Sequence, residues 1–65
     1  MKITVNGAPH EIAAESLHDA LNELGYAEAR VATAVNENFV PSSLRADHRL
    51  EPGDRLEILA PMQGG

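Results

Sequence analysis

The chain of 65 residues contains no cysteine and no tryptophan, and it has one phenylalanine and one tyrosine. Without cysteine there is no disulfide framework, no thiol catalysis and no thiolate metal site, and a reducing compartment is expected. Because aromatic residues are scarce, the core must be built from Leu, Ile, Val and Ala. So small a core leaves no room for a deep substrate pocket. We therefore expect a binding or carrier module and not a self-sufficient enzyme.

Basic residues are also scarce, since five Lys and Arg stand against ten Asp and Glu, for a formal charge of -5. This balance argues against a nucleic-acid partner and favours a basic docking surface on a protein partner. No apolar run approaches membrane-spanning length, and no signal peptide opens the chain. We therefore expect a cytoplasmic protein with no membrane partner.

The first twelve residues predict a hairpin. Residues 2–5 alternate polar and apolar side chains, and Asn6-Gly7 is a dipeptide that type I′ turns favour. Residues 8–12 form the return strand, which Pro9 places at an edge because proline cannot donate to the ladder. The inward side chains of the hairpin are expected to be Ile3, Val5 and Ile12.

A helix is predicted over residues 17–24. Four apolar residues fall on one face at helical spacing: Leu17, Ala20, Leu21 and Leu24. Ser16 can cap the first turn, with Asp19 reaching back to it, and Gly25 lies where a left-handed residue ends a helix. We expect the three leucines to be buried against the sheet.

The next segment predicts two strands. Residues 30–35 form the third strand, residues 36–38 a turn, and Phe39-Val40 a short strand that Pro41 ends. Three residues of the third strand are expected to face the helix: Val31, Thr33 and Val35. Ser42 can then cap one further turn through Leu44.

The last segment predicts a turn and a final strand. Leu50 begins a strand or leads into one, and residues 51–54 form a tight turn in which Pro52 pre-sets φ. Residues 55–59 form the last strand, with Leu56 and Ile58 inward. Because the first and last strands are apolar enough to be central, they are expected to pair in parallel through a right-handed crossover. The fold class is therefore α+β, a mixed four- to five-stranded sheet curled around one helix.

The chain is expected to divide into a domain, residues 1–60, and a flexible tail, residues 61–65, that ends in Gly64-Gly65. Two glycines add nothing to a core, but they make a thin strand whose carboxylate can enter a narrow enzyme cleft. The alternative is a frayed end without function.

A docking patch is predicted beside the tail. Leu59 points away from the core, on the same face as the small residues Ala32 and Ala34, and Thr4 and Glu57 would border this patch. The alternative is a single exposed leucine of no consequence, which is common on protein surfaces.

No catalytic or metal-binding cluster emerges from the remaining polar residues. The three histidines show no ligand spacing: His10, His18 and His48. Two acidic pairs fit solvated positions better than acid–base couples: Glu11 with Glu15, and Glu51 with Asp54. Arg45 and Arg49, near Asp47, are expected to form a surface charge cluster.

Five segments together carry a family resemblance: residues 1–7, 16–21, 34–41, 50–58 and 64–65. They include Asn6-Gly7, the pattern Asn-x-x-x-Val-Pro over residues 36–41, Gly53-Asp54 and the terminal Gly-Gly. In this order and spacing they resemble the ThiS family, the ubiquitin-like β-grasp sulfur carriers of thiamine biosynthesis. Two residues depart from the family pattern: Asn38 in the turn, and Leu44 where an aromatic is frequent.

The resemblance implies that Gly65 is the reactive residue. A ThiF-like adenylating enzyme would use ATP-Mg to activate its carboxylate, and a sulfur donor system would convert it to a thiocarboxylate. Thiazole synthase, of the ThiG type, would receive the sulfur. Met62, Gln63 and Gly64 would enter the partner's active site with Gly65. No tightly bound cofactor and no metal are implied, and the chain would be a co-substrate and not an enzyme.

Three alternatives remain beside this interpretation. A MoaD-like small subunit of molybdopterin synthase shares the Gly-Gly tail, although it is usually longer than 65 residues. A ubiquitin-like modifier would join Gly65 to a lysine amine. A non-catalytic binding module would have a Gly-Gly tail without function.

Overall fold

The computed structural model describes residues 1–27 and 30–60, and it contains five strands, one α-helix and one 3-10 helix. In chain order these elements are β1 Lys2–Val5, β2 Ala8–Glu11, α1 Leu17–Glu23, β3 Ala32–Val35, β4 Asn38–Val40, the 3-10 helix Ser42–Asp47 and β5 Arg55–Leu59. None of the helices in the described part of the chain is long and apolar enough to cross a membrane. The predicted tail, residues 61–65, lies outside the described residues.

The five strands form one sheet in the order β2-β1-β5-β3-β4. The central pair, β1 and β5, is parallel, and the other pairs are antiparallel. Pro9 lies on the edge strand β2, where a missing N–H can face outward. The predicted mixed sheet, its parallel centre and its edge strand are therefore confirmed.

Both hairpins turn through two residues with left-handed backbone. Asn6 and Gly7 have φ of 51° and 85°, and Asn36 and Glu37 have φ of 51° and 73°. Positive φ at both central residues is the type I′ geometry, whose twist matches that of the flanking strands. The second turn is shorter than predicted, because Asn38 already belongs to β4.

The N-terminus of α1 is capped and pinned. The Ser16 hydroxyl accepts a hydrogen bond from the Asp19 N–H at 3.1 Å, as predicted. A reciprocal cap would need the Ser16 N–H to donate to the Asp19 carboxylate. Asp19 Oδ1 instead lies 3.4 Å from His18 Nδ1. The first helical N–H, that of Leu17, donates to the His48 carbonyl at 2.8 Å. The helix start is thereby tied to the segment after the 3-10 helix.

The C-terminus of α1 follows the glycine signal. Gly25 has φ of 95°, its N–H donates to the Asn22 carbonyl, and the Tyr26 N–H donates to the Leu21 carbonyl at 2.8 Å. These two bonds make a Schellman motif, which satisfies carbonyls that the helix leaves unpaired. Leu24 is the C-cap residue, and it is half-buried and not buried as predicted.

One aliphatic core lies between the sheet and α1. Its members are between 0% and 7% exposed: Ile3, Val5, Ile12, Leu17, Ala20, Leu21, Val35, Val40, Leu50, Leu56 and Ile58. Thr33 is buried with them at 1% exposure. The predicted inward side chains of β1, β3 and β5 therefore lie on the core side. Val31 was predicted to belong to the third strand, but β3 begins at Ala32, and Val31 is half-buried against the core.

Two local predictions between β4 and β5 are wrong. The predicted turn through Leu44 is a longer 3-10 helix that ends at Asp47, and it follows Pro41 without the side-chain cap expected from Ser42. Leu50 lies outside the five strands, and its N–H donates to the Glu15 carbonyl at 2.8 Å as part of an isolated antiparallel bridge between Ser16 and Arg49. This bridge holds the buried Leu50 beside the start of the helix.

Candidate docking face and carrier site

The face of the sheet opposite α1 carries the predicted docking residues. Ala32 lies opposite Leu59 in the β3–β5 ladder, and Ala34 lies opposite Glu57. Leu59 is 72% exposed, since its position on β5 alternates with that of the buried Ile58. The structure therefore brings four of the five predicted residues together on adjacent strands.

Phe39 belongs to the same face, and the sequence analysis did not place it there. It lies opposite Ala34 in the β3–β4 ladder and is 68% exposed. With Leu59, Ala32 and Ala34 it lines an open depression of about 350 Å³. These four residues are called the open-face patch below. The sequence could have indicated the position of Phe39, because side chains alternate between the two faces of β4. This alternation places Phe39 on the open face only when a two-residue turn sets the register of β4 with β3.

Thr4, the fifth predicted residue, lies at the polar side of the patch. It is half-buried on β1, opposite Arg55 in the parallel ladder, and Glu57 separates it from the apolar residues. An exposed ion pair joins Arg55 Nη1 to Glu37 Oε2 at 3.5 Å. The open face of the sheet is therefore apolar over β3, β4 and the end of β5, and charged over the start of β5.

Arg45 does not belong to a surface charge cluster, which corrects the sequence prediction. Its Nε donates to Thr33 Oγ1 at 3.0 Å, and its Nη2 donates to the Val31 carbonyl at 2.6 Å. The Thr33 hydroxyl in turn donates to the Val40 carbonyl at 2.8 Å. Because β3 begins after Val31, this carbonyl takes a partner from the 3-10 helix. Arg49 is exposed as predicted.

The other polar side chains have local structural contacts. Arg49 Nη2 lies 2.8 Å from Glu15 Oε1, and Asp54 Oδ2 accepts the Glu51 N–H at 2.8 Å, which closes the tight turn. Among residues 1–27 and 30–60 no group of three or more His, Cys, Asp or Glu side chains could hold a metal ion. His10 and His18 are exposed and His48 is half-buried.

The described chain leaves the sheet beside the open-face patch. β5 ends at Leu59, and the exposed Ala60 is the last described residue. The predicted carrier residues, Met62, Gln63, Gly64 and Gly65, lie outside the described residues. The structure thus gives the candidate docking face and Ala60, which is the root of the predicted tail.

This sheet order around a single helix is the ubiquitin-like β-grasp fold, as predicted. A solved relative with the same fold is the crystal structure of the thiamine biosynthesis protein ThiS from Geobacter metallireducens, with a TM-score of 0.84, 30% identity and full coverage of both chains. The sequence matches the ThiS family over residues 3–65. The chain belongs to the ThiS family, which confirms the resemblance.

Two curated relatives differ in length. The sulfur carrier protein ThiS of Thermus thermophilus is 33% identical over 97% of this chain and 98% of its own. A thiazole synthase of Paramagnetospirillum magneticum is 38% identical over 66 residues, which cover all of this chain but 20% of that protein. The chain thus spans one relative almost completely and about a fifth of the other.

Proposed function

We propose that this protein carries sulfur for thiazole formation in thiamine biosynthesis, on the carboxylate of Gly65. The observation that supports the proposal most directly is the ThiS family match over residues 3–65, together with a near full-length relative named a sulfur carrier protein. The names of the relatives favour this pathway over that of molybdopterin synthase. In this proposal the protein is a co-substrate, and the partner enzymes carry out the chemistry.

The proposed chemistry begins with activation of a poor electrophile. The Gly65 carboxylate attacks the α-phosphorus of ATP, pyrophosphate leaves, and an acyl adenylate forms on a ThiF-like enzyme with Mg²⁺. The terminal sulfur of a persulfide then attacks the carbonyl carbon, and AMP leaves. A thiol cleaves the remaining S–S bond, so that the carrier departs as a thiocarboxylate and the two thiols as a disulfide. Because Gly64 has no side chain, the chain at this position is thin enough to pass through a narrow cleft to the nucleotide.

We propose that the open-face patch docks on the adenylating enzyme. Phe39 and Leu59 are large apolar side chains at 68% and 72% exposure, and they flank two alanines that leave the surface between them flat. Contiguous apolar surface with a polar rim is typical of a site where a protein partner binds. The root of the tail lies beside the patch, so docking there would deliver residues 61–65 to the same partner.

Thiazole synthase is the proposed acceptor of the sulfur. A relative named thiazole synthase contains a segment that is 38% identical to this chain and covers all of it. A carrier segment within such a protein supports the idea that carrier and synthase work on a common step. No cofactor bound by the carrier itself is needed for this transfer.

Intact mass spectrometry tests the proposal. The protein is incubated with a ThiF-like enzyme, ATP-Mg and a persulfide donor, and exchange of one carboxylate oxygen for sulfur should add about 16 Da to the covalent product. A chain that lacks Gly65 is the control, and it should keep its fold and its mass. An isopeptide bond between Gly65 and a lysine would identify a modifier instead. No mass change under conditions that convert a known ThiS carrier would contradict the proposal.

A further inference from the structure

Asn6 makes an unusual contact with the last strand. Its N–H donates to the Leu56 carbonyl at 2.9 Å, as the ladder between β1 and β5 requires. Its side chain then continues along β5: Oδ1 accepts the Ile58 N–H at 2.8 Å, and Nδ2 donates to the Ile58 carbonyl at 3.1 Å. Both backbone polar groups of Ile58 are therefore paired with one side chain.

The side chain of Asn6 takes the place of the backbone groups that β1 would offer to Ile58 if the strand continued. In a parallel ladder, a residue that donates to position 56 accepts from position 58 through its own carbonyl. The left-handed φ of 51° at Asn6 turns the chain toward β2, so the ladder of β1 ends there while β5 runs on to Leu59. Oδ1 takes the place of the missing carbonyl, and Nδ2 takes the place of the next donor along the strand.

We infer that Asn6 is a positioning residue that holds the root of the carrier tail and the adjacent Leu59 in the geometry that the adenylating enzyme binds. The inference rests on the proposed function. Ile58 directly precedes Leu59. The two hydrogen bonds between the Asn6 side chain and Ile58, called the Asn6 brace, support β5 on the side where β1 has ended. A strand end that is already ordered loses less conformational freedom when a partner docks on it, so the brace strengthens docking.

The second hairpin provides a matched control. Asn36 has the same φ of 51° and also braces β5, because its Oδ1 accepts the Arg55 N–H at 3.0 Å and its Nδ2 donates to Asp54 Oδ1 at 3.0 Å. This brace lies at the start of β5, away from the tail root. Asn6→Gly and Asn36→Gly each remove two side-chain hydrogen bonds and keep a residue that tolerates positive φ.

The experiment compares the wild-type protein with these two variants. Amide hydrogen exchange is measured residue by residue in the free protein, and ATP–pyrophosphate exchange is measured with a ThiF-like enzyme over a range of carrier concentrations. Denaturant unfolding measures the free energy of unfolding of both variants, so that their stabilities can be compared. Asn6→Gly should accelerate exchange at the Ile58 and Leu59 amides, and it should raise KM for the carrier about 5- to 10-fold over Asn36→Gly, with kcat within about twofold. Asn6→Asp keeps the acceptor for the Ile58 N–H and should fall between wild type and Asn6→Gly.

Other outcomes overturn the inference in distinguishable ways. Equal KM values for the two glycine variants would show that the brace serves stability alone. A raised KM without faster exchange at Ile58 would mean that Asn6 contacts the partner directly. If the wild-type protein supports no pyrophosphate exchange, the proposed function fails and the docking role with it, whereas amide exchange at Ile58 still decides whether the brace orders β5.

Discussion

The two faces of the sheet use the same strands for different purposes. On the core side, Val35, Leu56 and Ile58 are between 1% and 7% exposed and pack against one another and α1. On the open side, Phe39 of β4 and Leu59 of β5 leave most of their apolar surface in water. Burial stabilises a fold in proportion to the area removed from water, so the core side carries the stability and the open side contributes little. We therefore expect substitutions on the open side to change the proposed docking without changing the fold.

The largest effect is expected from the core side. Leu56→Ala should lower the free energy of unfolding by about 2–5 kcal/mol, because the residue is 1% exposed and leaves a cavity when truncated. Urea denaturation followed by circular dichroism measures the change. Leu59→Ala on the same strand is the control and should stay within about 0.5 kcal/mol. Comparable losses from both variants would break the distinction between the faces.

The second prediction concerns docking on the open side. Leu59→Glu should weaken binding to the adenylating enzyme by about 2 kcal/mol or more, roughly 30-fold, because it puts a charge into an apolar contact. Titration calorimetry measures the affinity. Leu44→Glu introduces the same charge at a leucine that is 54% exposed on the 3-10 helix. Its affinity should remain within about twofold of wild type, and an equal loss from both variants would point to charge and not to the patch.

The third prediction concerns Arg45, at the edge of the core. Arg45→Met keeps the apolar stem but removes the bonds to Thr33 and to the Val31 carbonyl, so stability should fall by about 1–2 kcal/mol. Arg49→Met is the control, since its exposed ion pair with Glu15 should contribute less than about 1 kcal/mol. Thermal unfolding of both variants decides the order, and a larger loss from Arg49→Met would contradict it.

The smallest effect is expected at the start of α1. Ser16→Ala removes the acceptor for the Asp19 N–H and should destabilise the protein by about 1 kcal/mol, without change in docking. Ser42→Ala should be nearly neutral, since the 3-10 helix begins without a side-chain cap. Denaturant unfolding of this pair separates a true cap from a serine that merely precedes a turn.

Local rules predicted most of the fold because each element carries its own signal. Asn6-Gly7 fixes the first turn, and Ser16 and Gly25 mark the ends of α1 within one residue. The family resemblance agreed with these elements, and the ThiS match confirmed it. Burial of Leu24 was overestimated, because it ends the helix as the C-cap residue and lies at the margin of the core.

The misses arise where the environment of a residue depends on a distant segment. Nothing near Arg45 indicates that the Val31 carbonyl lacks a strand partner, so a long polar side chain was expected on the surface. Phe39 could be placed on the open face only with the register of β4, which depends on the turn being two residues long. The roles of Gly64 and Gly65 stay predictions from the resemblance.

The parallel pairing at the centre of the sheet also has a kinetic consequence. Both hairpins and α1 are local, but the bond between Asn6 and Ile58 spans 52 positions along the chain. We expect such a closure to form late, because closing a long loop costs conformational entropy before the contact is gained. Until β5 inserts between β1 and β3, the two hairpins share no partner and Leu59 has no neighbours on the open face. We therefore expect the proposed docking surface to form only when β5 completes the sheet.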